Sequence, residues 1–165
     1  MKLKNIVMPI VLAMLMVSTA FAAYHKKPVR RDAVQFHKGD MLFTGEFSVF
    51  YKTVCLGGNF EYFLTPNISV GGDLVGTLSS PTVMIASPDV TYHFNLKEKN
   101  LDVFAGAGPA LAFQMRGSGG TGFGFKPFAG GRYFIKPKLA IYAKLQAFLA
   151  SGSSIGASFG VTYWL

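Results

Sequence analysis

The sequence predicts an all-β fold: an eight-stranded antiparallel up-and-down β-barrel whose strands cross a membrane. Three observations carry this expectation. Residues 41–165 contain eight segments in which apolar side chains alternate with small or polar ones at a period of two, the spacing that sends successive side chains to opposite faces of a strand. One face of every segment is apolar and uncharged, and the other holds all the charged residues. Half of the 165 residues are hydrophobic, yet after the first 22 no stretch reaches the ~20 apolar residues that a spanning helix needs.

Residues 1–22 read as a secretory signal peptide. Lys2 and Lys4 precede an apolar run from Ile6 to Val17, and Ala20-Phe21-Ala22 supplies an A-x-A cleavage site before Ala23. The mature chain, 143 residues (165 − 22), is expected to form one domain. Residues 23–40 are polar and basic, with Lys26, Lys27, Arg30, Arg31 and Lys38 against Asp32 and Asp40, a net +3. Containing Pro28 and no periodicity, they are expected to be a flexible arm that the barrel, residues 41–165, assembles without. Cys55 is the sole cysteine, which excludes an intramolecular disulfide. It does not follow the cleavage point, so a small strand residue rather than a lipid anchor is expected.

The segments follow in order. Residues 41–52 place Phe43, Phe47, Val49 and Tyr51 on the apolar face, with Glu46 and Lys52 opposite. Residues 54–64 set Val54, Leu56, Phe60 and Tyr62 against Asn59 and Glu61, and residues 68–78 set Ile68, Val70 and Leu74 against Asp73. In residues 82–96, Met84, Val90, Tyr92 and Phe94 oppose Asp89 and His93. In residues 101–116, Leu101, Val103, Leu111, Phe113 and Met115 oppose Asp102, Gln114 and Arg116. Residues 123–135 carry Phe123, Phe125 and Tyr133 against Lys126 and Arg132, and residues 139–150 carry Leu139, Ile141, Leu145 and Leu149 against Lys144 and Gln146. Residues 155–165 close the series with Ile155, Phe159, Val161, Tyr163 and Leu165 against Gly156 and Gly160. Where a segment has two charges, both fall on one parity. The connectors alternate between two sets, 65–67, 97–100 and 136–138 in one, and Thr53, 79–81, 117–122 and 151–154 in the other, as in a meander of hairpins.

Packing decides which face points outward. Eight strands enclose a lumen only just wide enough for side chains, and the more than thirty large apolar residues of the uncharged face would not fit there. Turned outward they meet lipid, while a small, polar, glycine-rich set fills the interior and closure leaves no sheet edge in hydrocarbon. Tyr62, Tyr92, Phe94, Tyr133 and Tyr163 collect beside one set of turns and Tyr51, Phe113, Phe123 and Phe125 beside the other, as two interfacial aromatic girdles would. An even strand number puts both barrel ends on one side, and the basic arm following export makes that side periplasmic.

These residues resemble the small eight-stranded outer-membrane barrels of the OmpA/OmpX type over about residues 40–165. The resemblance rests on Gly58-Asn59-Phe60-Glu61-Tyr62-Phe63-Leu64-Thr65-Pro66-Asn67-Ile68-Ser69-Val70-Gly71, on Asp102-Val103-Phe104-Ala105-Gly106-Ala107-Gly108 and on the final Phe159-Gly160-Val161-Thr162-Tyr163-Trp164-Leu165. It implies that Phe159, Val161, Tyr163 and Leu165 form the signal read by the barrel-assembly machinery, with Leu165 where the family ends in Phe. It also implies the bacterial outer membrane as location, with its lipid and lipopolysaccharide as surroundings.

The inward charges Glu46, Glu61, Asp73, Asp89, Arg132 and Lys144 are expected to form a network that fills the lumen, with Arg132 and Lys144 paired to Glu46, Glu61 and Asp73. His93 lies near Asp89 and Asp102, but no serine is placed for a triad, and the lipid face has no His, Asp or Glu, so no catalytic residue is expected. Residues 117–122 lack the Lys-Ser/Thr of a phosphate loop and read as a hairpin loop. No cofactor is expected, and no metal, because no His/Cys/Asp/Glu group has ligand spacing. Nucleic acid is not an expected partner after export, whereas the basic arm suits anionic envelope polymers or head groups. The expected role is structural or envelope-maintaining, with a largely closed polar lumen. The alternative is a narrow channel for small solutes or apolar compounds, as in OmpW-type barrels; short Gly/Ser-rich loops make an adhesin a weaker third.

Overall fold

The computed structural model describes residues 34–50, 53–94, 96, 100–115, 121–150 and 153–165. The signal peptide, residues 23–33 of the arm, and Tyr51, Lys52 and Arg116 lie outside the described residues. Eight strands form one closed barrel: β1 (Met41–Phe50), β2 (Thr53–Thr65), β3 (Ile68–Thr77), β4 (Val83–Phe94), β5 (Leu101–Gln114), β6 (Thr121–Lys136), β7 (Leu139–Phe148) and β8 (Ser154–Trp164). Each pairs antiparallel with its chain neighbours, and β8 returns to β1 through Leu42↔Trp164 to Phe50↔Gly156. No edge remains, the condition for strands to stand in hydrocarbon.

The alternation predicted from sequence is the alternation observed. Phe43, Leu74, Val90, Phe123, Leu145 and Phe159 stand on the outer face, while Glu46, Glu61, Asp73, Asp89, Asp102, Lys126, Arg132 and Lys144 are all buried inside. Strand ends differ by a few residues. β6 begins at Thr121 rather than 123 because β5 runs to Gln114 and offers Phe113 and Ala112 as partners to Thr121 and Gly122. β4 stops at Phe94, two residues early, where Asn67 Nδ2 caps the His93 carbonyl at 2.9 Å.

Two ladders are interrupted by proline. Between β4 and β5 the pairs stop at Ala86↔Leu111 and resume at Val90↔Ala107, and the register sets Pro88 opposite Pro109, neither with an N–H to donate. Between β6 and β7 the pairs stop at Phe128↔Gln146 and resume at the bridge Phe125↔Leu149, on either side of Pro127. At Gly108 no side chain has room: a Cβ would lie 1.9 Å from the Pro88 carbonyl oxygen.

The interior corrects one expectation. It is not uniformly small and polar, because apolar side chains cap the polar middle at both ends. At the end where residues 65–67 and 136–138 turn, Phe36, Leu42, Phe63, Phe134, Ala140 and Trp164 cluster. At the opposite, loop end Phe50, Cys55 and Val75 cluster, with Ile85 against them. Phe104, Phe128 and Tyr142 pack within the charged middle. Cys55 is a buried inward strand residue.

A second correction concerns the arm. Its last part is not structureless: Phe36 is only 4% exposed and belongs to the turn-end cluster. One aromatic ring laid over an apolar mouth gains enough burial to order its neighbours without any periodic pattern in the sequence.

Candidate functional site

The inward positions of seven strands, β1 to β7, form two ion clusters. The upper one centres on Asp73 of β3. Lys144 Nζ of β7 donates to Asp73 Oδ2 at 2.9 Å and lies 3.5 Å from Glu46 Oε2 of β1. Lys126 Nζ of β6 donates to the same Asp73 oxygen, and Asn59 Nδ2 donates to Asp73 Oδ1 at 2.8 Å. The lower one centres on Arg132 of β6, which bonds Glu61 of β2 across the lumen and lies 3.6 Å from Asp102 of β5. Its guanidinium also sits 4.6 Å over the Phe104 ring, which has room because Gly130 has no Cβ to meet its Cζ at 2.8 Å.

Around these clusters hydroxyls join the walls directly. Thr44 and Thr162 are 2.8 Å apart and Ser48 and Ser158 2.7 Å apart, each a β1–β8 cross-strand pair, and Gln146 Nε2 donates to Ser158 at 2.7 Å. Bonds of this kind satisfy polar groups that would otherwise be buried without partners.

Of the six charges expected in the network, Glu46, Glu61, Asp73, Arg132 and Lys144 are joined by ion pairs, along with Lys126, Asp102 and His93. Asp89 faces the lumen outside this set. It is buried, its Oδ1 accepts from Thr91 at 3.4 Å, and its Oδ2 has no hydrogen-bond partner. Among the described residues the lumen therefore holds five carboxylates against Lys126, Arg132, Lys144 and the imidazole of His93.

His93 overturns the expectation that no serine is placed for a triad. Ser69 Oγ lies 3.0 Å from His93 Nε2, and Asp102 Oδ1 lies 3.0 Å from His93 Nδ1. The line resembles a nucleophile, base and orienting acid, but its chemistry is different. Glu61 Oε2 is 3.4 Å from the same Nε2 and accepts from Ser69 at 3.3 Å, so both ring nitrogens face carboxylates and the base position is occupied by an acceptor. Ser69 is fully buried, and the ring bridges Glu61 and Asp102.

Tyr62, Tyr92, Phe94, Tyr133 and Tyr163, expected in a girdle, take outward positions near the turn end. Tyr92 and Phe94 meet edge-on at 5.2 Å, and Lys138 Nζ lies 5.9 Å over the Tyr163 ring. Phe159, Val161, Tyr163 and Leu165 share the outer face of β8 and its continuation, with Leu165 N–H donating to the Met41 carbonyl at 3.0 Å.

A closed barrel with apolar bulk outside and ion pairs inside defines a class, the transmembrane β-barrel. No family model matches the chain, and no curated protein matches it. Among solved structures it is similar to the N-terminal β-barrel domain of Pseudomonas aeruginosa OprF, with a TM-score of 0.69 and 17% identity over 79% of this chain and 100% of that one. It is also similar to the Yersinia pestis outer membrane protein Ail (0.56, 11%, 77% and 99%) and to the outer membrane protein OprG of P. aeruginosa (0.56, 11%, 78% and 97%). The fold is that of the small eight-stranded outer-membrane barrels.

Proposed function

We propose that this protein is an exported bacterial outer-membrane barrel with a structural, envelope-maintenance role, a closed lumen and no enzymatic activity. The observation that carries this reading is the filling of the barrel along its length, with apolar clusters at both ends and ion pairs between them. Eight strands leave little free bore even before such filling. The outer-membrane origin of the structural neighbours supports the location. On this reading the outward face meets lipid and lipopolysaccharide, the turn end faces the periplasm, and β8 presents Phe159, Val161, Tyr163 and Leu165 to the assembly machinery. Single-channel recording of the refolded full chain in planar bilayers tests it. A flat baseline is the expected result, and discrete openings would favour a narrow channel instead.

A further inference from the structure

The chain leading into β1 closes the turn-end mouth. Phe36 stacks on Phe63 at a centroid distance of 4.2 Å, with Trp164 at 5.1 Å, His93 at 5.4 Å and Phe134 at 6.2 Å around the same ring. The backbone hydrogen bonds tying this segment to the barrel lie at its far end, from Gly39 N–H to the Phe63 carbonyl and from Phe63 N–H to the Asp40 carbonyl, both 2.9 Å. Among the described residues, 34–36 are held by side-chain packing alone, Val34 against the cluster and Phe36 within it.

The bend between the two parts is at Gly39, whose φ of 93° is in the left-handed region. A Cβ there would meet nothing within 4 Å, so backbone conformation and not space selects glycine. Asp40 Oδ2 accepts from His37 N–H at 2.7 Å and braces the turn. Beside the Phe36 ring is a cavity of about 140 Å³ lined by Val34, His37, Asn67, His93, Leu101 and Asp102 among others. Phe36, His93 and Asp102 all belong to its lining, whereas Glu61, which lies 3.4 Å from His93 Nε2, does not.

We propose that residues 34–40 form a strap whose Phe36 is a removable stopper. Pivoting at Gly39, it lifts from the mouth and widens the cavity, so that small polar solutes from the turn side reach Glu61 as well as His93 and Asp102. One ring and a few contacts hold the strap, whereas eight mutually paired strands hold the barrel, so the strap opens while the barrel stays folded. The closed-lumen reading would fail on conductance of the wild-type protein, whereas this one fails on the local measurements below.

Two measurements on the refolded full chain decide it. In wild type, the Gly39 amide, whose bond to the Phe63 carbonyl breaks when the strap lifts, should exchange with deuterium at least a hundredfold faster than the Phe63 amide, bonded to Asp40 on the barrel side of the pivot, and than the Thr44 amide in the middle of β1. Exchange of all three in step would mean that the segment leaves only when the barrel unfolds, and would overturn the proposal. Trp164, the only tryptophan in the chain, lies against Phe36 and reports access by a small neutral solute. Phe36→Ala should raise acrylamide quenching of Trp164 at least threefold, with the barrel intact by its heat-modifiable gel mobility. Unchanged quenching in the folded variant would also overturn the proposal. Should Phe36→Ala fail to fold, the wild-type exchange pattern decides alone.

Discussion

Replacing Arg132 by alanine tests the charged lumen most severely. The side chain is about 1% exposed, bonds Glu61, lies 3.6 Å from Asp102 and covers Phe104. Without it, Glu61 and Asp102 share His93 as their remaining ion-pair partner among the described residues. Uncompensating a buried carboxylate costs about 3–5 kcal/mol, or about two to nearly four decades in the folding equilibrium constant. Urea titration of the variant in lipid vesicles should show that loss. Adding Glu61→Gln should recover part of it, because a neutral amide no longer needs the guanidinium, so the double variant should lose less than the sum of the singles. Planar-bilayer current should not change, since the apolar caps at both ends do not depend on Arg132. A urea midpoint equal to wild type would refute the paired network, and a new conductance would refute the caps as the closure.

Leu145→Arg, on the outer face of β7, should cost about 2–4 kcal/mol in bilayers if the residue lies near the midplane, and Ile141→Arg, four residues nearer the turns, should cost less. Equal penalties in vesicle folding titrations would contradict the assigned lipid face. Asp89→Asn should be neutral or stabilise by about 1 kcal/mol in the same titration, because it removes a buried charge whose Oδ2 has no hydrogen-bond partner and which has no ion pair among the described residues. A loss as large as that of Glu61→Gln would show that Asp89 has a cationic partner. Leu165→Phe should speed insertion into proteoliposomes carrying the assembly machinery, and an unchanged rate would detach the last residue from that signal.

The strands and their parity are legible because lipid and lumen impose opposite chemistries on alternate residues. The Asp102–Arg132 contact is within reach of the same reasoning, since the β5–β6 hairpin sets the two positions directly opposite each other. For Arg132 the sequence offers Glu46, Glu61 and Asp73 together without choosing among them, because the bond to Glu61 spans the lumen from β6 to β2 and depends on how the sheet closes. His93 meeting Ser69 is likewise diagonal, with Thr91 rather than His93 opposite Ser69. Inward aromatics such as Phe63, Phe134 and Trp164 escape notice because near a strand end an apolar residue suits either face. Phe36 is hidden for a different reason. A single ring in a basic stretch has no period, and its place is fixed by the mouth it covers.

The two proline gaps have a mechanical consequence. β5 and β6 are stitched together without a break from Leu101↔Tyr133 to Phe113↔Thr121, yet the hairpin's outer borders, against β4 and β7, each lack rungs at mid-height. The wall is thus divided into a two-strand stave and a six-strand stave meeting at two perforated seams. Thermal breathing should concentrate at those seams, so the Asp89 and Gly108 amides should exchange ahead of those at the same height between β1 and β8. If this barrel ever parts sideways, it is the β5–β6 stave that swings.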